Sequence, residues 1–389
     1  MKQEEQITRG EYIRLKVAVA NLSKLHDEVV ERKWTNDESL REYACPYPFR
    51  TVIINQGGDV YSCCPAYIKT GYSFGSLNSE TVADIWNSDN AKKLRYSVIR
   101  GDFEYCYRSC FILLNKDKYF LPREKAKQLF YGERAITSWQ DCTMQQSPEE
   151  IRLSVDATCN LTCPSCRTKI YGNSESENEK ILSQLNSIVK PMLKQCKKIL
   201  ANGAGEFFAS IPLQAFFGSL DMNAYKDLKV DIVTNGTLLT PTKWAQISNL
   251  HGRIGTVQVS IDAANKEIYE KLRRGASWDN LYKNMEYLSD IKRSGDVQEV
   301  LIRLVVQNDN FRQMEDFAKL GIKWGFDRVL FTRLTNWGTF TDEEFKSADV
   351  FHKDNKNFNE AVRILKDINA TYSKQIDIMD DIFSESFLQ

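Results

Sequence analysis

Over the C-terminal two thirds of the chain, short apolar runs alternate with longer amphipathic stretches. The runs are rich in β-branched residues and have the length of buried strands, whereas the stretches between them show helical spacing. Strands joined by helical crossovers form a parallel sheet with helices on its outer face, either open or partly closed into a barrel. Active sites in such folds lie at the carboxyl ends of the strands. The predicted strands are 152–156, 198–201, 230–234, 256–261, 300–306 and 329–332.

The N-terminal third has a different pattern. Short β-like runs at 51–55 and 60–63 flank two glycines, a helix-like run follows at 79–99, and another helix is predicted at 124–131. After the strands, residues 343–372 are polar with helical spacing. The predicted domains are a helical lead-in (1–44), a cysteine-bearing module (45–115), a linker (116–148), the α/β domain (149–340) and a C-terminal helical segment (341–389).

Composition and charge narrow the class of protein. The chain has 389 residues, 42% of them hydrophobic and 27% charged, as in ordinary globular proteins. Lysine plus arginine and aspartate plus glutamate number 52 each, so no net charge attracts nucleic acid or anionic lipid. No signal peptide or membrane span is recognisable. We therefore expect a cytoplasmic protein with neither a nucleic-acid nor a membrane partner.

Ten cysteines in a cytoplasmic chain indicate metal or redox chemistry where they cluster. One cluster follows the first predicted strand: the segment TCNLTCPSCR places Cys159, Cys163 and Cys166 in a C-x3-C-x2-C loop. Thiolates at such spacings hold iron–sulfur clusters or zinc. Because the loop supplies three cysteine ligands and not four, one metal keeps coordination sites free for a substrate or cofactor. The alternative is a structural zinc with a fourth ligand elsewhere.

This loop, placed after the first strand of a (βα)n pattern, resembles the radical SAM superfamily over about residues 150–338. The resemblance implies α/β architecture with a partial (β/α)6 TIM-type barrel. It also implies that Cys159, Cys163 and Cys166 hold a [4Fe-4S] cluster whose unique iron chelates S-adenosylmethionine. In that superfamily an electron from the cluster cleaves S-adenosylmethionine to methionine and a 5′-deoxyadenosyl radical, which abstracts a hydrogen atom from substrate.

Further strand ends are similar to the superfamily pattern. The second strand ends in a sequence like the Gly-Gly-Glu element that holds the methionine ammonium, the third ends in Thr-Asn-Gly-Thr, and the fourth offers an i, i+2 polar pair. Each also has a plainer interpretation as a turn or a strand cap. Arg273 and Arg274 follow the fourth strand and could face the cleft, although solvated surface is the default expectation for arginines. The cofactor-binding residues implied by the resemblance are Gly203, Ala204, Gly205, Glu206, Asn235, Ser260 and Asp262.

The cysteine-bearing module resembles SPASM and twitch domains, which hold auxiliary iron–sulfur clusters in a radical SAM subgroup. The shared order is a first cysteine, a glycine before the next cysteine, a helix with Ile-Trp-Asn, and paired cysteines. In that subgroup the module normally follows the barrel, whereas here it precedes it. The resemblance implies one small α+β domain with one auxiliary [4Fe-4S] cluster; a structural zinc site is the alternative. The candidate ligands are Cys45, Cys63 or Cys64, Cys106 and Cys110, with Cys63 favoured by its distance from Gly58.

Two cysteines lie outside these groups. Cys142 is a candidate hydrogen-atom donor or extra ligand, and Cys196 lies in a helical pattern typical of buried core.

The resulting hypothesis is a radical SAM oxidoreductase or maturase whose auxiliary cluster assists oxidation, cross-linking or epimerisation of a peptide or protein. A dehydrogenase or epimerase of a sugar or aminocyclitol is the alternative within the superfamily. Outside it, the alternative is a non-catalytic iron–sulfur or zinc protein that transfers electrons or mediates interactions. The expected partners are a reductase or flavodoxin-type electron donor and a peptide or small-molecule substrate.

Overall fold

The computed structural model describes residues 38–63, 65–69, 71–107, 110–114, 116–201, 204–372 and 376–378. Most of the lead-in predicted for 1–44 and two candidate site residues, Cys64 and Gly203, lie outside these ranges. The chain divides into two compact units. The first runs through Val155 and includes Ser187–Cys196; the second comprises Asp156–Asn186 and Lys197–Gln389.

In the first unit, the predicted cysteine module and the first predicted barrel strand share a sheet. β2 pairs in parallel with β6, from Thr51 opposite Glu150 to Asn55 opposite Ser154. β2 also pairs antiparallel with β3, which pairs antiparallel with β4, and β1 pairs antiparallel with β5. The strands are β1 Tyr43–Ala44, β2 Thr51–Asn55, β3 Asp59–Tyr61, β4 Gly75–Ser76, β5 Leu121–Pro122 and β6 Glu150–Ser154.

The helices of the first unit are short. The run 79–99, predicted as one helix, forms two, because the Ser88 hydroxyl accepts a hydrogen bond from the Ala91 amide and starts a new helix there. The linker predicted at 116–148 contributes β5 and two helices, Lys116–Tyr119 and Arg123–Tyr131, to this unit. The helices are α1 Tyr47–Arg50, α2 Val82–Trp86, α3 Asp89–Arg100, α4 Phe111–Leu114, α5 Lys116–Tyr119 and α6 Arg123–Tyr131, with a helical turn at Lys190–Met192.

A buried cation lies on α3. Arg95 is fully buried, and its guanidinium donates to the carbonyl oxygens of Pro48 at 2.8 Å and Trp86 at 2.7 Å. The Trp86 ring also lies 4.2 Å from the guanidinium carbon. Burial lowers the pKa of Arg95 to about 10. Arg95 therefore joins the start of the module to α2 through buried hydrogen bonds.

The second unit contains a parallel sheet in which each strand pairs with the next one along the chain. Because the order never reverses, the crossovers wind in one direction, as in a barrel rather than a doubly wound sheet. The predicted barrel strands correspond to β6–β11, which confirms the α/β fold class of a partial (β/α)6 barrel. The strands are β7 Lys198–Ala201, β8 Lys229–Thr234, β9 Ile254–Ser260, β10 Val297–Val306, β11 Arg328–Arg333 and β12 Ile376–Ile378.

Capping residues in the sequence mark where the crossover helices begin and end. The longest begins after Ser277, whose side chain accepts from the Asn280 amide, and ends at Gly295, which has φ 86°. The segment 343–372 forms two helices rather than one. Across the residues that the structure describes, no helix is both long and apolar enough to cross a bilayer. The helices are α7 Glu175–Gln184, α8 Ile211–Gly218, α9 Pro241–Ala245, α10 Lys266–Leu272, α11 Trp278–Ser294, α12 Met314–Lys323, α13 Asp342–Ala348 and α14 Phe358–Tyr372.

Candidate functional site

The three-cysteine loop is closed by its own backbone hydrogen bonds. The Cys159 amide donates to the Tyr171 carbonyl at 3.1 Å, which ties the two ends of the loop together. Within it, the amides of Cys166 and Arg167 both donate to the Cys163 carbonyl, at 2.9 and 3.0 Å. This tight turn places three thiols in one short loop that follows β6.

Each of the three thiols has its own N–H donor. Asn235 Nδ2 lies 3.8 Å from Cys159 Sγ. The other two sulfurs face guanidinium groups: Arg273 Nη1 lies 3.8 Å from Cys163 Sγ, and Arg167 Nη2 lies 3.6 Å from Cys166 Sγ. Donors of this kind stabilise thiolates, the form that binds iron. The donor set therefore fits an iron–sulfur cluster at this loop.

The pKa shifts of Cys159 and Cys163 each have two opposing causes. Burial raises the pKa of Cys159, and the Arg167 guanidinium opposes that rise. Burial also raises the pKa of Cys163, and there the opposing charge belongs to Arg273. The two arginines thus compensate for the burial of the thiolates.

The chain that follows the second barrel strand packs against the start of the cysteine loop. A Cβ atom on Gly205 would lie 2.4 Å from the Thr158 carbonyl oxygen and 2.7 Å from that of Asp156. The next amide, of Glu206, donates to the same Thr158 oxygen at 2.8 Å. Only glycine permits this approach. Ala204, beside it, accepts a hydrogen bond from Arg167 Nη2 at 2.9 Å.

The Glu206 carboxylate is buried and engaged by the protein itself. One oxygen accepts from the Phe208 amide at 3.1 Å and the Thr234 hydroxyl at 2.6 Å, and the other accepts from the Asn235 amide at 2.5 Å. Burial raises the pKa of Glu206, against the effect of these hydrogen bonds. The carboxylate therefore joins the ends of β7 and β8, and a ligand ammonium would share it with these donors.

The remaining predicted cofactor-binding residues lie at the carboxyl ends of β8 and β9. Asn235 has a second partner besides the thiol, Asn160 Oδ1, at 3.0 Å. Ser260 is the half-buried last residue of β9. Asp262, two residues further on, has φ 67° and forms an ion pair with Arg273 Nη2 at 2.7 Å. Its other oxygen accepts from the Val305 amide at 2.8 Å.

Of the two positions considered for Arg273, the cleft and the solvated surface that is the default for arginine, the structure excludes the solvated surface, because the side chain is 12% exposed. A sequence signal that could have located Arg273 is the pair of adjacent arginines, Arg273 and Arg274, after the polar end of the fourth predicted strand. In the part of the chain that the structure describes, Arg273 Nε and the Tyr269 hydroxyl are buried without a hydrogen-bond partner. Buried donors normally have partners, so these two groups are available to a bound cofactor.

The first unit gathers a second set of thiols. Cys106 forms a β-bridge with Ile68, and the Cys110 amide donates to the Tyr107 carbonyl at 3.0 Å. Burial raises the pKa of Cys45, with further increases from the charges of Cys110 and Cys63. Burial likewise raises the pKa of Cys106, with further increases from Cys110 and Cys45. These effects couple Cys45 electrostatically to Cys110 and Cys63, and Cys106 to Cys110 and Cys45.

Both thiol sets suit a cluster by their chemistry. Among the described residues, no three Cys, His, Asp or Glu side chains are grouped around a position for a single metal ion. A four-iron cluster makes a different demand, one ligand for each iron. Within the described ranges, the loop offers three thiols and the module offers four.

Cys142 is a buried residue of the first unit. Its thiol is 0% exposed and lies 3.9 Å from the Ser138 carbonyl oxygen. Burial raises its pKa, whereas Tyr131 and Arg95 oppose the rise. The role of hydrogen-atom donor therefore stays a prediction, and it would require access to an enclosed thiol.

Two family models match this chain. The model of the radical SAM superfamily matches residues 154–321, which contain the three-cysteine loop. The SPASM model, described as an iron–sulfur cluster-binding domain, matches residues 45–111, which contain all five cysteines of the module.

Curated relatives match part of the chain. Mycofactocin maturase MftC of Mycolicibacterium smegmatis is 25% identical over 167 residues, 43% of this chain and 40% of the relative. A probable GTP 3′,8-cyclase of Methanococcus maripaludis is 31% identical over 137 residues, 35% of this chain and 43% of the relative. The chain thus spans less than half the length of these relatives.

Among solved structures, SuiB of Streptococcus suis bound to precursor peptide SuiA is similar at a TM-score of 0.41 and 15% identity. The similarity covers 69% of this chain and 64% of that chain. A similarity of this extent carries no argument about function.

Proposed function

We propose that this chain, which belongs to the radical SAM superfamily and carries a SPASM domain on the N-terminal side of its radical SAM domain, modifies a peptide by radical chemistry. The family's cofactors are S-adenosylmethionine, the [4Fe-4S] cluster that binds it, and an auxiliary [4Fe-4S] cluster. When bound, the first cluster supplies the electron that cleaves S-adenosylmethionine to methionine and a 5′-deoxyadenosyl radical. The net reaction that we propose is an oxidation, a cross-link or an epimerisation.

The observation that carries the proposal is the three-cysteine loop with an N–H donor to each sulfur. Cys159, Cys163 and Cys166 would each bind one iron, and Asn235, Arg167 and Arg273 would hold the thiolates in their charged form. The same contacts orient the sulfurs before any cofactor binds.

The S-adenosylmethionine shell that we propose is formed by the ends of three neighbouring parallel strands. β7, β8 and β9 are adjacent in the sheet, so their carboxyl ends meet at one edge. The unpartnered Arg273 Nε and Tyr269 hydroxyl add two donors there. The proposed shell consists of Gly203, Ala204, Gly205, Glu206, Asn235, Ser260 and Asp262.

The auxiliary cluster would be held by Cys45, Cys63, Cys106 and Cys110. Their mutual charge effects support this ligand set. An auxiliary cluster can accept an electron from a substrate radical, which makes the net reaction an oxidation or a bond formation. If a cysteine instead returns a hydrogen atom, the net reaction is an epimerisation, and Cys142 is our candidate.

A peptide substrate is supported by the resemblance to SPASM enzymes, most of which act on peptides and proteins, and by a relative that is itself named a maturase. The second relative is named a probable cyclase of GTP, so a small-molecule substrate is the competing outcome. A reductase or flavodoxin-type protein would supply the electron.

The test begins with anaerobic purification of the wild-type chain and of C163A, followed by iron and sulfide analysis. We expect about eight irons in the wild type and about four in C163A, because only the loop cluster is lost. With dithionite and S-adenosylmethionine, the wild type should form 5′-deoxyadenosine and C163A should not. C196A, which removes a buried thiol outside both ligand sets, is the matched control. Normal cleavage by C163A would refute the assignment of the loop.

The substrate test uses short peptides whose genes neighbour the gene for this chain, with a panel of nucleotides and sugars in parallel. Mass spectrometry of products formed in deuterated water separates the reactions. Loss of two hydrogens indicates oxidation or a new bond, and gain of one deuterium indicates epimerisation. Turnover of a small molecule and of no peptide would refute the proposed substrate class.

A further inference from the structure

Arg167 occupies an unusual position beside the cysteine loop. It is buried, and Nη1 donates to the Ala157 carbonyl at 2.7 Å. Nη2 donates both to the Ala204 carbonyl at 2.9 Å and to Cys166 Sγ at 3.6 Å. The guanidinium carbon also lies 5.7 Å from the centre of the Tyr171 ring. The planar guanidinium is therefore held in one orientation by two backbone carbonyls, and the sulfur lies within its reach.

The charge of Arg167 has no carboxylate partner among the ion pairs of the described residues. Besides the Tyr171 ring, the side chain that its guanidinium contacts is that of Cys166, whose sulfur lies 3.6 Å from Nη2. Its positive charge therefore faces the sulfur of Cys166.

Arg273 differs in this respect. It also contacts a thiol of the loop, but Asp262 lies 2.7 Å from its Nη2 and compensates its charge. Among the described residues, Arg167 is thus the arginine of the site that contacts a loop thiol and forms no ion pair with a carboxylate.

We propose that Arg167 is a positioning residue that raises the reduction potential of the cluster held by Cys159, Cys163 and Cys166. Reduction adds one electron and no proton, so the site becomes more negative. A fixed cation in a buried environment stabilises the reduced form more than the oxidised form, and hydrogen bonds to the sulfurs act in the same direction. This inference rests on the proposed function, because it requires a cluster at these cysteines.

The test is a redox titration of the whole chain followed by electron paramagnetic resonance. The loop cluster is recognised as the signal that changes when S-adenosylmethionine is added, and the auxiliary cluster serves as the internal reference. The variants are R167Q, which removes the charge and keeps a donor, and R167K, which keeps the charge. K169Q is the matched control, because it removes a charge two residues away from an exposed position.

At the potential where half of the wild-type loop cluster is reduced, we expect the ratio of reduced to oxidised cluster in R167Q to fall about tenfold. For a one-electron couple this corresponds to a midpoint about 59 mV lower. R167K should stay within about threefold of the wild type. In K169Q both clusters should titrate as in the wild type.

R167Q with full iron content and a wild-type midpoint would overturn the inference while leaving the proposed function intact. If R167Q loses the loop iron, R167K decides: full iron with a wild-type midpoint supports the role of the charge. If R167K also loses the loop iron, or if its ratio of reduced to oxidised cluster also changes tenfold, Arg167 has a purely structural role and the inference is wrong. Absence of the loop cluster from the wild type would overturn the proposed function together with this inference.

Discussion

Replacing Gly205 with alanine would place a methyl group where the protein backbone already lies. The added Cβ would be 2.4 Å from the Thr158 carbonyl oxygen, 2.7 Å from the Asp156 oxygen and 2.8 Å from the Ala157 carbonyl carbon. All three are main-chain atoms, so no side-chain rotation relieves the contact. Gly205 does not have a positive φ, and the expected effect is therefore one of space rather than of backbone strain.

The magnitude follows from these distances. Non-bonded carbon contacts are optimal at about 3.5–4.0 Å, so the methyl group or the Thr158 carbonyl must move by on the order of 1 Å. Overpacking of this kind costs about 1–3 kcal/mol. Thr158 directly precedes Cys159, and a misplacement of about 1 Å can lower a catalytic rate about 100-fold. We therefore expect G205A to lose about two orders of magnitude in 5′-deoxyadenosine formation.

The assay measures 5′-deoxyadenosine formation at saturating S-adenosylmethionine, with the thermal midpoint recorded in parallel. Each kcal/mol should lower the midpoint by about 2–4 °C for a unit of this size. G172A is the matched control, because Gly172 lies at the far end of the same loop and a Cβ there would meet no atom within 4 Å. A G205A variant with wild-type rate and midpoint would show that this turn does not lie against Thr158.

Three further predictions concern other parts of the structure. E206Q should lower the free energy of unfolding by about 1–3 kcal/mol, because the glutamine side chain places an NH2 group where the carboxylate accepted a hydrogen bond from a backbone amide or a hydroxyl. An unchanged thermal midpoint with only weaker S-adenosylmethionine binding would contradict this. C106A should lose about four irons while 5′-deoxyadenosine formation persists, and C142S should retain all its iron; iron loss in C142S would make Cys142 a ligand. R95M should destabilise the chain by about 2–4 kcal/mol in chemical denaturation, because two buried carbonyls lose their donor; wild-type stability would show that these hydrogen bonds contribute nothing net.

The strands were predictable because their signal is local. Alternating or continuous apolar runs identified β6–β11 within a few residues of their observed bounds, for example 256–261 against Ile254–Ser260. β12 was missed: Ile376–Ile378 is short, and its pairing with β11 is a contact that local sequence does not encode.

Helix breaks were harder to predict. Residues 79–99 have continuous helical spacing, yet the chain ends one helix at Trp86 and starts the next at Asp89. The Asn87-Ser88 pair carries the signal, since serine and asparagine favour caps over helix interiors. Periodicity alone does not detect such a break, because the apolar face continues across it.

The sequence by itself determined which thiols lie together in the loop. Cys159, Cys163 and Cys166 are within one tight turn, so their spacing constrains their geometry almost regardless of the rest of the fold. The same holds for the succession of strands β6–β11 along the chain and for the similarity to the radical SAM superfamily, whose model matches residues 154–321.

Only the tertiary structure decided what surrounds those thiols. Arg273 is 110 positions from Cys163 along the chain, and Asn235 is 76 positions from Cys159. The burial of the Glu206 carboxylate and the pairing of β2 with β6 depend equally on distant segments. Contacts of this kind leave no periodic or spacing signal, because they arise when parallel strands bring their carboxyl ends to one edge of a sheet.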